Sequence, residues 1–236
     1  MKLHFSDERL LAVVAHPDDA ELLCAGTLAR ARQDGAETAV CVLCQGDKGQ
    51  PAQFIENLAD VRRKELIAAT TLLGAQLFTG YVPDGTLSDD PQARPRLMDI
   101  FRQFRPTLVL AHSPTDYHPD HRAASRLCAE VSWYAASAGQ QTGDPPLAAQ
   151  PAVWWMDTLN MLDFEPSIYI DVSEFVAKKE QMLAAHKSQL ERRGDEDFAP
   201  LMDLMQNQLR TRGSQAGVLA AEAFRPYAAF KRLRAW

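Results

Sequence analysis

Leu10-Leu11-Ala12-Val13-Val14-Ala15-His16-Pro17-Asp18-Asp19 decides how the rest of the chain is read. An unbroken apolar run of strand length, with no polar alternation, is the pattern of a strand covered on both faces. It ends in a histidine, a proline and two carboxylates. A second stretch repeats the arrangement: Thr107-Leu108-Val109-Leu110-Ala111 is followed closely by Tyr117-His118-Pro119-Asp120-His121. Both polar runs therefore lie where a strand ends and the chain turns toward a helix, the rim at which open parallel sheets collect ligands.

Working outward, strand-like segments at 10–15, 38–44, 76–80 and 107–112 alternate with helix-like segments at 20–33, 59–73, 96–104 and 120–136. That alternation predicts βαβ units with right-handed crossovers. The expected fold is α/β, a Rossmann-like open and mostly parallel sheet of order 3-2-1-4-5 with helices on both faces, in one domain over residues 1–236. Helix 59–73 places Val61, Leu66, Ala69, Leu72 and Leu73 on its apolar side and Arg62, Arg63, Lys64 and Glu65 elsewhere, and Gly74 ends it. Ala152 to Met156 and Ser167 to Val172 read as further strands. A helix from Ser173 or Glu174 to Arg192, with Ser173 available as N-cap, and another at 197–211 complete the pattern. Long connections run from Gly46 to Phe54, Tyr81 to Pro95 and Ser137 to Pro151; the first two leave the carboxyl ends of strands two and three and so surround the same rim.

Composition narrows the function. The net charge is −6, and the basic stretch Lys231 to Arg234 is too short to make a nucleic-acid surface. No segment reaches the roughly 20 apolar residues of a membrane span, and the start of the chain lacks the apolar core of a signal peptide, so the expectation is a cytoplasmic protein. Four cysteines in 236 residues do not describe a disulfide scaffold. Cys41 and Cys44 lie in a strand-like segment, where residues three apart face opposite sides, and are read as core. Trp154, Trp155 and Met156 are also read as strand core, and His112 as a structural hydrogen-bonding residue. The Gly-rich dinucleotide fingerprint, the phosphate loop, the serine-hydrolase elbow and His-Glu-x-x-His are all missing.

The chemistry of the two polar runs is that of a hydrolytic metal site. Catalytic zinc takes three ligands from histidine and carboxylate and leaves a position for water. His16 with Asp19, and His118 with His121, have the spacing of one helical turn, and Pro17 and Pro119 fit just inside a helix start. These four exceed three ligands, so one histidine, His118 or His121, remains for oxyanion stabilisation, and a nearby carboxylate such as Asp18 for proton transfer. Asp120 could orient a histidine through its ring N–H. Spacing leaves open which aspartate binds the metal.

Ala15 to Thr27 and His112 to Ala124 resemble the paired signatures of the LmbE-like, or PIG-L, de-N-acetylase family. Arg62-Arg63-Lys64-Glu65 is similar to that family's Arg-x-x-Glu, His186-Lys187-Ser188-Gln189 to its late His-x-Ser-Gln, and Ala221-Glu222-Ala223-Phe224 to its closing segment. The resemblance covers roughly residues 10–230. It implies one Zn2+ per chain on His16, Asp19 and His121, with Asp18 as general base, His118 as acid or oxyanion partner, Asp120 as the partner of His118, and Arg62 toward the substrate. Ala25 stands where a second glycine is common. The implied activity is removal of an N-acetyl or other N-acyl group from an N-acetylglucosamine-type sugar or conjugate. The alternatives are an amidase for a non-sugar or thiol-conjugate amide and a non-catalytic zinc protein, and related proteins often assemble as homo-oligomers.

Overall fold

The computed structural model describes residues 4–79, 82–88, 90–192 and 200–229. Seven strands form one sheet: β1 (Arg9–Val14), β2 (Glu37–Val42), β3 (Gln76–Phe78), β4 (Leu108–Ala111), β5 (Ala152–Met156), β6 (Ile168–Asp171) and β7 (Ala221–Pro226). Their order is β3-β2-β1-β4-β5-β7-β6. The first five are parallel, as the apolar runs predicted, and β7 lies antiparallel between β5 and β6. The helices are α1 (Asp19–Leu23), α2 (Ala25–Gln33), α3 (Leu58–Leu73), α4 (Ala93–Phe104), α5 (Pro119–Tyr134), α6 (Val176–Leu183), α7 (Lys187–Leu190) and α8 (Leu201–Ala216).

Strand alternation divides the interior into two cores. Leu10, Ala12 and Val14 pack with Leu28, Leu66 and Met205 on one face, while Leu11, Val13 and Ala15 pack with Leu97, Phe101 and Cys128 on the other. Each fully buried leucine contributes about 1.5–3 kcal/mol. Trp154, Trp155 and Met156 are buried in β5, and all four cysteines are buried and free. β2 ends at Val42, short of the expected 44, although Leu43 and Cys44 still donate to the Val14 and Ala15 carbonyls.

Several local expectations are corrected. The predicted helix 20–33 breaks at Cys24, whose φ of −147° separates α1 from α2. Helix 173–192 is three pieces: a short 3-10 turn over Ser173–Phe175, then α6, then α7, with the chain bending before His186. Ser173 caps none of them; its hydroxyl donates to Asp171 Oδ1 at 2.6 Å. Pro200 precedes α8, which runs on to Ala216; residues 197–199, Gly80 and Tyr81, and the basic stretch 231–234 lie outside the described residues.

Helix α3 buries Leu58, Arg62, Leu66, Ala69, Thr70 and Leu73, so Arg62 belongs to the inward stripe, and Leu72 is exposed. Gly74 ends it in the left-handed conformation, donating to the Thr70 and Thr71 carbonyls. The Ser137–Pro151 connection lies away from the rim: the Arg102 guanidinium donates to the Ala135 and Ser137 carbonyls and to Thr142 Oγ1.

Candidate active site

The two junctions meet because β1 and β4 are neighbours, with Leu10 to Val13 registered against Leu108 to Ala111. After β4, His118 N donates to Asp116 Oδ1 at 2.9 Å and His118 Nδ1 accepts from Asp120 N at 3.2 Å, so His118 caps α5 and Pro119 takes its first position. The junction after β1 differs. Pro17 lies before the helix instead of inside it, and Asp18, the residue preceding α1, has a left-handed φ of 101°. A non-glycine residue pays strain there, a condition that clusters at functional sites.

That turn sends two consecutive carboxylates to different partners. Asp19 Oδ2 accepts from His16 N at 2.7 Å and lies 3.5 Å from His16 Nδ1, while its Oδ1 lies 3.3 Å from His121 Nε2. Asp18 Oδ2 instead accepts from Arg62 Nη2 at 3.0 Å. The same guanidinium donates to the Pro17 carbonyl and, at 3.3 Å, to the Gly46 carbonyl. Arg62 therefore fastens Asp18 and the loop after β2 from beneath. Its partner in Arg-x-x-Glu, Glu65, accepts from Ser188 N and Oγ at 2.8 and 2.7 Å, and Gln189 Nε2 donates to the Gly49 carbonyl at 3.2 Å. The four-residue segment that the sequence singled out after α6 is thus tied to α3 and to the rim.

Around this centre the rings of His16, His118 and His121 lie with centroids 4.8–5.4 Å apart, His16 edge to face with His118, and His118 stacked on His121. Among the described residues, three groups have donor atoms within 4.8 Å of one another: His16, His118 and His121; Asp19, His112 and His121; and His16, Cys44 and Asp120. Tetrahedral zinc with bonds near 2.0–2.1 Å sets its ligand atoms about 3.3–3.4 Å apart. The separations of 3.3 and 3.5 Å from Asp19 to His121 and His16 approach that value but run to different carboxylate oxygens, Oδ1 and Oδ2, so the Asp19 carboxylate spans the two imidazoles, and His16, Asp19 and His121 do not themselves form one of these three groups. Asp116 Oδ1, 3.1 Å from His121 Nδ1, orients that ring from behind.

Charge at the centre points the same way. Burial lowers the His16 pKa, but hydrogen bonds to Asp120 and Asp19 and the Asp19 charge outweigh it and raise it to about 10. His121, similarly opposed by burial, is raised to about 9 by Asp19 and Asp116. Burial pushes Asp19 up, yet His121 and His112 hold it well below the usual carboxylate range. The cluster demands positive charge, supplied by protons or by a cation. Asp18 is raised by burial against the opposing Arg62 charge. Burial, then His121 and His16, depress His118. A neutral His118 whose Nδ1 accepts the Asp120 N–H carries its proton on Nε2.

The carboxylate of Asp120 does not reach His118 as expected. Its Oδ2 lies 3.1 Å from His16 Nε2 and accepts from Gly85 N at 2.9 Å, so the histidine it orients is His16. His112 is fully buried, stacks on His121 at 3.9 Å and accepts from Ala15 N at 3.0 Å, the structural role expected of it, and its Nε2 also lies 3.2 Å from Asp19 Oδ2, beside the centre. His186 caps no helix; it is buried, with Nε2 3.4 Å from Glu21 Oε2.

A cavity of about 500 Å³ opens over the centre, and the loops after β2 and β3 line it with Lys48, Gly49, Asp84 and Gly85, as their place on the rim predicted. Tyr117, 62% exposed and roughly perpendicular to the His118 ring, also lines it. Sequence reasoning passed over Tyr117 and Asp116, although both stand within two residues of His118.

Residues 11–132 match the family described as PIG-L, GlcNAc-PI de-N-acetylase. The chain belongs to the PIG-L family. It is 28% identical over 178 residues to 4-oxalmesaconate hydratase of Pseudomonas putida, covering 72% of this chain and 69% of that protein. It is 29% identical over 184 residues to 1D-myo-inositol 2-acetamido-2-deoxy-alpha-D-glucopyranoside deacetylase of Rhodococcus erythropolis, covering 65% and 62%. The matched region thus spans less than two thirds of that deacetylase's length. Among solved structures, the conserved protein TT1542 from Thermus thermophilus superposes with a TM-score of 0.78 at 31% identity, over 97% of this chain and all of the other. No helix among the described residues is long and apolar enough to cross a membrane.

Proposed function

We propose that the protein is a zinc-dependent N-deacetylase that frees the amine of an N-acetylglucosamine-type conjugate. The observation that carries this reading is the divergence of Asp18 from Asp19: one carboxylate is spent on the histidine cluster, while its neighbour is held apart and facing the cavity. A purely structural metal site needs no such spare base.

His16, Asp19 and His121 would hold the ion, with Asp120 and Asp116 orienting the two imidazoles. A zinc ion held there supplies Lewis acidity toward water and the amide carbonyl. Asp18 takes the proton of the attacking water as the new C–O bond forms; its raised affinity for protons suits a base working near neutrality. Arg62 keeps that carboxylate from swinging into the cluster. His118 directs its Nε2–H at the carbonyl oxygen while charge accumulates there, then delivers the proton to the nitrogen as the C–N bond breaks. Acetate and a free amine leave, and the proton that Asp18 took from the water replaces the one His118 gave, leaving both groups as they began. Buried free thiols suit a reducing compartment and support a cytoplasmic location.

The test is incubation of purified, metal-analysed protein with N-acetylglucosamine conjugates of inositol, malate and a second sugar, assayed for free amine and acetate. Equimolar release of both products is expected. Hydration of an unsaturated carboxylate, the chemistry named for the Pseudomonas putida relative, without release of any amine would overturn the reading.

A further inference from the structure

We propose a second cation site behind the first, built from His16, Cys44 and Asp120, which takes a thiophilic divalent ion such as Zn2+ or Cd2+ and shuts off turnover when filled. A nitrogen of His16, the Cys44 sulfur and a carboxylate oxygen of Asp120 lie within 4.8 Å of one another, and all three residues are buried. This group shares His16 with the proposed first set, His16, Asp19 and His121, and adds Cys44 and Asp120, while Asp19, His112 and His121 form a group without any of its residues. His16 joins the two. Its Nδ1 lies 3.5 Å from Asp19 Oδ2 and its Nε2 3.1 Å from Asp120 Oδ2, so one nitrogen faces each group.

The fold fixes these donors at separate points. Cys44 N donates to the Ala15 carbonyl at 2.8 Å, which extends the β1–β2 ladder and sets the thiol beside the end of β1. The Cys44 backbone bridges to Val82 on its other side. Asp120 sits in the first turn of α5, its carboxylate held by Gly85 N.

Thiolate, imidazole and carboxylate together suit zinc or cadmium far better than magnesium or calcium, which prefer oxygen alone. On loading, a sulfur–metal and a nitrogen–metal bond form, and the thiol proton and the His16 Nε2 proton pass to solvent, leaving the ring as an imidazolate between the two ions. The incoming ion takes the Asp120 carboxylate and His16 Nε2, so the hydrogen bond between them is lost. The inhibitory consequence rests on the deacetylase reading, in which that bond orients His16; the binding itself does not.

Protein carrying one zinc per chain is titrated with Cd2+ while ultraviolet absorbance and turnover are followed. A further equivalent should bind with a sulfur-to-cadmium charge-transfer band, and turnover should fall in step. Cys44→Ser should lose the band and the inhibition while keeping the first zinc and its basal turnover; Cys44→Ala should do the same and covers the case in which a buried hydroxyl impairs folding. Cys41→Ala should keep the band. Absence of the band in the unmodified protein, or its persistence in both Cys44 variants, overturns the proposal. A Cys44-dependent band in a protein that releases no amine upholds this site and removes the deacetylase reading, whereas amine release with no band does the reverse.

Discussion

The two junctions share the pattern His-Pro-Asp with a further ligand-type residue after it, yet they fold differently. After β4 the pattern makes an ordinary helix start: His118 caps, Pro119 occupies the first position, and α5 runs for sixteen residues. After β1 the same types of residue make a strained turn, with Asp18 at φ 101° and a helix of only five residues. The regular junction presents one aspartate that orients a histidine. The strained one splits a pair of adjacent carboxylates, which a regular helix start would leave about 100° apart around one axis. Strain at β1 is therefore what separates the proposed base from the proposed ligand.

The largest effect should come from the strained junction. Asp18→Asn is expected to lower turnover by about 10²–10⁴-fold with metal content unchanged by elemental analysis; retained turnover would remove Asp18 from the chemistry. At the regular junction, His118→Ala should cost about 10²–10³-fold in turnover, again with metal retained. Loss of metal in that variant would exchange the roles of His118 and His121.

Asp120→Asn should weaken metal affinity or activity by about 10–100-fold, the range for a residue that orients a ligand from behind, as read by competition with a chelator. A change confined to proton transfer from His118, with affinity intact, would restore the pairing that the side chains do not make.

Stripping the metal sharpens the contrast by pH. His16 and His121 are raised from 6.5 to about 10 and about 9. Their protons stabilise the metal-free fold fully below pH 6.5, and that contribution disappears as pH rises through 9 to 10. Thermal melts of metal-free protein should fall across this window, whereas zinc, which needs unprotonated imidazoles, should stabilise more as the pH rises from acid. Parallel curves would mean that no ion competes with those protons.

The smallest effect is conformational. Asp18→Gly should be more stable than Asp18→Ala by about 1 kcal/mol in denaturant titration, because glycine adopts a left-handed backbone without penalty. Equal stability would show that the turn carries no strain.

The order of the first five strands was legible because buried parallel strands read as continuous apolar runs, and the polar residues after two of them marked the rim. β7 was not, since Ala221 to Pro226 pairs antiparallel with partners far away in sequence and carries little local strand signal. The break at Cys24 escaped notice because no proline or polar cap marks it. Arg62 was assigned away from the apolar side by its charge, yet its spacing of four from Leu58 and Leu66 places it inward, where Asp18 and two carbonyls accept from its terminal nitrogens. The site residues were recognisable as types, but the pairing of Asp120 with His16 depends on which way a carboxylate turns, and no spacing encodes that.

Glu222, in the last strand, accepts from Gly26 N and Thr27 N at 2.9 and 2.7 Å while contacting the Lys179 ammonium. The amino end of α2, just past the first junction, thus receives its anchor from a residue 196 positions downstream of Gly26. A nascent chain that has already made both histidine-bearing junctions still lacks this clasp until its closing strand emerges. Shortened versions ending before residue 222 should therefore keep every proposed ligand and remain unable to hold them in place.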